Sequence, residues 1–160
     1  MGCKRSYTQL MDTARPGWSG GDPDALTALT LVRVSLMLTR AFSATLAPHD
    51  LPPHQFSVLL HLVERPGLSQ ADLARVVLTT PQSVGDLLRA MEDRGLVERT
   101  PPLRPGLPFA VYASPAGQAL LDHVTPDILN AFSPEALGLD QTAYDRLNLD
   151  LHRILGTLGT

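Results

Sequence analysis

Aromatic residues are scarce in this 160-residue chain, at 5%, and a single cysteine, Cys3, stands near its start. One cysteine excludes an internal disulfide framework and a zinc site built on cysteines, and it fits a reducing compartment. Long uncharged runs are lacking too. The longest stretch without Asp, Glu, Lys or Arg runs from Pro105 to Leu121 and is broken by Pro105, Pro108 and Pro115, so no transmembrane helix is expected. The first twenty residues hold Lys4, Arg5 and Arg15 but no apolar core of a secretory signal, which leaves a cytoplasmic protein as the expectation. Met1-Gly2-Cys3 through Ser6 matches the letters of an N-myristoylation signal, against which stands the plainer reading of an unstructured polar arm.

What is present is a globular composition, 44% hydrophobic and 18% charged with a formal charge of −3, enough for one domain with a real core. The charge is uneven. Residues 1–20 sum to +2, 21–64 to −2, 65–105 to +1 and 106–160 to −4. The arm and the middle are the less acidic parts, a mild form of the bias that accompanies a polyanionic partner.

Residues 1–21 show no periodicity and read as a flexible arm carrying Trp18. Asp22-Pro23 predicts a helix start, with carboxylate cap and proline in the first turn, and Pro48 ends that helix. Its apolar residues fall on two stripes, one with Leu29, Val32 and Leu36 and one with Leu31, Val34, Leu38 and Phe42, so it needs two partners. Phe56, Leu59, Leu60 and Val63 mark a second helix, closed by Arg65-Pro66-Gly67. Ser69 with Asp72 caps a short third helix, and Thr79-Thr80-Pro81 opens a fourth in which Val84, Leu87, Leu88 and Met91 repeat the helical spacing. Gly95 is placed to close it in the left-handed conformation. The runs 96–99 and 109–113 read as a hairpin around a proline-rich loop, with Arg104-Pro105-Gly106-Leu107 suited to a type II turn that puts Arg104 near the tip. Ser114-Pro115 starts a helix that Pro126 is expected to kink or interrupt. Asp140 caps the last one, whose stripe of Tyr144, Leu147, Leu151, Ile154, Leu155 and Leu158 approaches a heptad seam suited to association between subunits.

Helix, short helix, second short helix and hairpin is the order of a winged helix-turn-helix. The runs Leu51-Pro52-Pro53-His54-Gln55-Phe56-Ser57-Val58-Leu59, Pro66-Gly67-Leu68-Ser69-Gln70-Ala71-Asp72-Leu73-Ala74 and Leu87-Leu88-Arg89-Ala90-Met91-Glu92-Asp93-Arg94-Gly95-Leu96-Val97-Glu98-Arg99 resemble the MarR family of bacterial transcription regulators. Ser114-Pro115-Ala116-Gly117 sits where that family has a Leu-Thr-x-x-Gly segment. The resemblance implies a mainly α fold with a small β-hairpin wing: a flexible arm (1–21), a helical dimerisation region (22–52 and 114–160) and a winged helix-turn-helix lobe (53–113). It implies a homodimeric repressor of a palindromic operator in double-stranded DNA, released by a small aromatic or phenolic ligand. No enzyme activity, no membrane partner and no cofactor are expected.

Carried onto this sequence, the resemblance makes 81–94 the recognition helix, with Gln82, Ser83, Gly85, Asp86 and Arg89 facing outward. Gln82 suits adenine, Thr80 and Ser83 suit phosphate or base edges, and Arg89 suits phosphate or guanine. Ser69 and Gln70 would meet the DNA backbone at a helix N-terminus. The sequence departs from the family at two points. Asp86 would repel phosphate unless Arg89 or Arg75 pairs with it, and the wing lacks the family's Asp-x-Arg, leaving Arg104 as the substitute. These departures suggest the runner-up reading, a ligand- or protein-binding dimer of the same fold with weak or lost DNA binding, beside the DNA-binding regulator that the resemblance implies. The family's ligand cleft would be lined by Met37, Arg40, Ala41, Phe42 and Thr45 with His54 and Val58, Trp18 closing over it; the competing reading makes these residues dimer core. The dimer contact falls to Leu29, Leu36, Tyr144, Leu147, Leu151, Ile154 and Leu158. His49, His54, His61 and His123 are too dispersed for an expected metal site. Cys3 has only Lys4 and Arg5 to lower its pKa, weak support for a redox role. No catalytic constellation occurs; His61-x-x-Glu64 is what chance places on a helix.

Overall fold

In a computed structural model, the residues described are 22–101, 104 and 108–158. Trp18 and Cys3 lie outside them, as does the turn proposed for Pro105 to Leu107. The chain divides into two compact units between Ala41 and Phe42.

The described part of the first unit opens on a 3₁₀ turn, Pro23–Ala25, capped by Asp22, whose Oδ1 accepts from Asp24 N at 2.9 Å. The expected cap is therefore real but belongs to this turn, and α1 proper begins four residues later, at Thr27–Leu46. Arg33 Nη1 donates to Asp24 Oδ1 at 2.5 Å, tying the turn to the helix. Both of the helix's apolar stripes carry exposed members, among them Val32, Val34 and Leu36. The stretch Thr27–His49 is also long and apolar enough to cross a membrane by length and composition. A helix of a soluble protein passes the same test of length and composition, so the expectation of no membrane partner is unchanged.

The second unit folds around one core. α2 (Pro53–Glu64), α3 (Gln70–Val76) and α4 (Pro81–Asp93) are followed by strands β1 (Val97–Thr100) and β2 (Ala110–Ala113), then α5 (Pro115–Ala131) and α6 (Gln141–Leu158). β1 and β2 pair antiparallel from Val97 opposite Ala113 to Thr100 opposite Ala110. Leu68 adds a bridge to Val111, and Gly67 N donates to Val111 O at 2.9 Å, so the segment entering α3 forms a third edge of the hairpin. Gly67 takes φ +83° in that turn, where a Cβ would be strained.

Val58, Leu59 and Leu62 of α2, Leu73 of α3, Val84, Leu88 and Met91 of α4, Val111 of β2 and Val124 of α5 are all enclosed in this core. The helical spacing read from the sequence selects the inward face of α4, but on α2 it is corrected: Phe56 and Leu59 point inward, whereas Leu60 and Val63 are exposed and Val58 and Leu62 fill the core in their place. At one end, Leu46 closes the core while Phe42 stacks on Phe132 (centroids 5.2 Å) and meets Phe56 edge-on (5.4 Å).

The helix junctions follow the capping residues. Ser69 and Asp72 form the full reciprocal box at α3, Thr80 Oγ1 accepts from Ser83 N at 3.1 Å, and Asp140 Oδ1 accepts from Ala143 N at 2.8 Å. Gly95 takes φ +68° after α4, as its position predicts. Ser114 serves two elements: its hydroxyl donates to Gly95 O at 2.6 Å, past the end of α4, and accepts from Gly117 N at 3.0 Å, in the first turn of α5. Pro126 does not interrupt α5, which continues to Ala131. A helical φ suits proline, and the missing N–H costs one backbone bond at an exposed position.

Two non-glycine residues adopt left-handed backbone, Asp50 (φ +50°) after α1 and Leu78 (φ +54°) between α3 and α4. An aspartate tolerates this region; a leucine there costs roughly 1–2 kcal/mol.

Candidate nucleic-acid interface

α3 and α4 make the helix-turn-helix, and a polar bond sets how they meet. Gln70 Nε2 donates to Pro81 O at 2.7 Å, joining the first turns of the two helices. The Gln70 amide lies over Gly85, where a Cβ would come within 2.8 Å of Nε2. Gly85 is therefore buried, and the expectation that it faces outward is corrected. A mid-helix glycine costs about 1 kcal/mol against alanine, and here the absent side chain makes room for Gln70.

Among the residues assigned to DNA, Thr80, Gln82, Ser83, Asp86 and Arg89 are exposed on α4 or at its cap. Thr80 Oγ1 and Ser83 Oγ lie 2.8 Å apart, so the two hydroxyls hold each other at the start of the helix. Gln82 makes no side-chain hydrogen bond among the described residues. Asp86 forms an ion pair with Arg89, one turn along. Of the two partners considered for Asp86, Arg89 is the one that takes it; Arg75 pairs with Asp72. The carboxylate is thereby partly neutralised, and the guanidinium is held on the exposed face.

Ser69 and Gln70 have internal work. The Ser69 hydroxyl donates to Asp72 Oδ2 at 2.6 Å and accepts from Asp72 N at 3.1 Å. These bonds from Ser69, helped by the Arg75 guanidinium, hold the Asp72 carboxyl below the usual aspartate range. The side chains of Ser69 and Gln70 are thus committed to capping α3 and docking it on α4. Arg104 is exposed in the wing between β1 and β2. At the base of that wing Arg99 of β1 forms an ion pair with Glu92 of α4, Nε to Oε2 at 3.0 Å.

Sequence reasoning missed Arg94. From the C-terminal cap of α4 it donates to Gln55 Oε1 at 2.5 Å and to Asp50 O at 2.6 Å. Gln55 is a buried polar residue, so the recognition helix is anchored to the start of α2. No spacing rule links positions so far apart in sequence; the only cue was Gln55 itself, a polar residue on the inward face of a helix.

The residues assigned to a ligand cleft are distributed over both units. Met37 and Arg40 are exposed on α1 in the first unit, and Trp18 lies outside the described residues. In the second unit Phe42 is engaged with Phe56 and Phe132, Thr45 is half-buried, His54 is exposed and Val58 is fully enclosed in the core. A shallow cleft of about 160 Å³ lies elsewhere in the second unit, between Leu62, Val63, Pro66, Tyr112, Ala113 and Gln118. His49 Nε2 lies 2.8 Å from Asp127 Oδ2 with the His123 ring edge-on to it. No group of three or more His, Cys, Asp or Glu able to hold a metal ion occurs among the described residues.

A helix-turn-helix with a polar exposed recognition helix and an adjoining hairpin defines the winged-helix class of DNA-binding regulators. The MarR family model matches residues 49–105. The HTH-type transcriptional repressor Rv2887 of Mycobacterium tuberculosis is 37% identical over 97 residues, which cover 61% of this chain and 70% of that protein. The crystal structure of Rv2887 with salicylic acid is similar at a TM-score of 0.66 and 29% identity, over 84% of this chain and 98% of that one. CouR, a repressor from Rhodococcus jostii, bound to a 23-mer DNA duplex, is similar at a TM-score of 0.71 and 25% identity, over 90% and 99% of the respective chains. The chain belongs to the MarR family: it is a winged-helix transcriptional repressor and not an enzyme.

Proposed function

We propose that the protein acts in the cytoplasm as a homodimer that reads a palindromic operator and is released from it by a small aromatic or phenolic ligand. The observation that carries the DNA reading is the exposed row of Thr80, Gln82, Ser83 and Arg89 on a helix fixed at both ends, by Gln70 and by Arg94. Gln82 offers the bidentate donor and acceptor that adenine takes in the major groove. Thr80 and Ser83 suit phosphate, Arg89 suits phosphate or guanine, and Arg104 reaches flanking DNA from the wing. Ser69 and Gln70 act as positioning residues.

Support for the dimer comes from apolar residues left exposed on the terminal helices. Leu29 and Leu36 on α1, and Leu147, Leu151, Ile154 and Leu158 on α6, face solvent in the single chain, with Tyr144 half-buried beside them. A second subunit would cover such stripes. We assign 22–52 and 114–160 to that association and 53–113 to the DNA-binding lobe. The ligand reading rests on the salicylic acid held by the Rv2887 structure, and assigns Trp18, Met37, Arg40, Phe42, Thr45 and His54 to the effector's surroundings.

The test is selection of bound duplexes from a random DNA library at moderate salt. An enriched palindrome with half-sites about one helical turn apart, whose binding weakens steeply with salt, is the expected result. No enrichment by folded, dimeric protein would favour a ligand- or protein-binding dimer.

A further inference from the structure

The turn between α3 and α4 carries a residue that serves the isolated chain badly in two ways. Leu78 sits at φ +54°, where glycine would be unstrained, and 76% of its surface is exposed, more than any other large hydrophobic residue described between Phe42 and Leu155. Backbone bonds on either side, Val77 N to Leu73 O at 2.9 Å and Thr79 N to Ala74 O at 3.0 Å, hold the turn in this shape. An outlier in a sparsely allowed region that also forgoes burial is a signal of function. The other exposed leucines have a different account, since most stand on α1 and α6, the helices assigned to subunit contact. Leu78 instead begins an unbroken exposed run, 78–83, that leads into the first turn of α4 and contains Thr80, Gln82 and Ser83.

We propose that Leu78 is a DNA-contacting residue that closes on the apolar surface of the duplex, a thymine methyl at the groove edge or a deoxyribose. This rests on the reading of α4 as the recognition helix. The polar residues that follow can bond base edges and phosphates, but none supplies a bulky aliphatic surface. In the major groove the methyl group is the feature that sets thymine apart from cytosine in shape, and it is read by apolar contact. Leu78 supplies such a surface beside the hydrogen-bonding set.

The experiment compares the wild type with Leu78→Gly and Leu78→Asn, both tolerant of the left-handed region. The probe is the duplex enriched by wild-type protein from the random library, measured by anisotropy titration beside thermal unfolding without DNA. The expected result is a fivefold to thirtyfold loss of affinity with Tm unchanged or raised, because the variants relieve strain while removing the contact. Repeating the titration with deoxyuridine in place of thymidine separates the two sources. If wild type loses the same factor on that duplex and Leu78→Gly loses nothing more, the contact is the methyl. If wild type is indifferent and the variant's loss persists, the contact is deoxyribose. Affinity equal to wild type in both variants would overturn the proposal while leaving the DNA reading intact, as would a loss that appears only with dissociation of the dimer. Failure of wild-type protein to enrich any duplex would overturn the DNA reading, and Leu78's role with it.

Discussion

Gln70 and Gly85 fit together as knob and gap: the glutamine amide occupies the space that any side chain at 85 would need, while its nitrogen bonds Pro81 O. Gly85→Ala gains about 1 kcal/mol of helix propensity and sacrifices a hydrogen bond of about the same size, because the far end of Gln70 must swing away. Urea unfolding should move by less than about 1 kcal/mol, whereas operator affinity should fall as α3 loosens on α4. Gly117→Ala makes the contrast. Its Cβ would meet Leu96 O at 2.1 Å and Leu59 Cδ2 at 2.9 Å, and since a backbone carbonyl cannot swing aside, a loss of about 2–3 kcal/mol or more is expected.

The Asp86–Arg89 pair is exposed on both sides, so its removal should change stability by less than about 1 kcal/mol. On the proposed reading of α4 as the recognition helix, its effect belongs to DNA. Asp86→Asn removes a negative charge from the groove-facing side and frees Arg89, and should tighten binding in a titration at fixed salt. Arg89→Ala should weaken binding and lower the slope of log affinity against log salt by about one contact. An unchanged slope would remove Arg89 from the interface.

Asp72 gives a pH signature with a defined sign. Its carboxyl is lowered from the ordinary 3.8 by the bonds from Ser69 and the charge of Arg75. A folded-state pKa below the unfolded one contributes stability that is fully present above the unfolded value and lost as pH falls through the folded one. An NMR titration of the side-chain carboxyl should place its midpoint below 3.8. Ser69→Ala should move that midpoint upward, and no movement would separate Asp72 from the cap.

Leu151 is exposed on α6 within the seam assigned to the second subunit. Leu151→Asp should yield a folded monomer in sedimentation or light scattering. A dimer that survives the substitution would place the contact elsewhere.

Spacing alone located α2, α4 and α6, because each has an apolar stripe that must face something. The capping residues Ser69, Thr80, Ser114 and Asp140 placed helix starts to within a residue, since one side-chain oxygen decides where the first turn is satisfied. Asp22 misled only in what it caps. The family resemblance places Gly85 outward, and it carries no information about Gln70, fifteen positions earlier, reaching over it. The bonds of Arg94 to Gln55 and Asp50 were illegible for the same reason. Pairings between distant segments follow from packing, which local pattern does not encode.

Ser114 gives the hairpin an unusual independence. Its one hydroxyl joins Gly95 to Gly117, so the exit of one helix and the entrance of the next are stapled together whatever lies between. Val97 and Val111 keep the paired strands in the core, so the replaceable cassette is the loop beyond Thr100 and Ala110. Loop tips can be lengthened, shortened or exchanged there at the cost of loop-closure entropy alone, which rises only slowly with length. A proline-rich tip is one such insert, and descendants of this lobe could change what they touch beside the major groove by swapping the cassette while the body that carries it stays as it is.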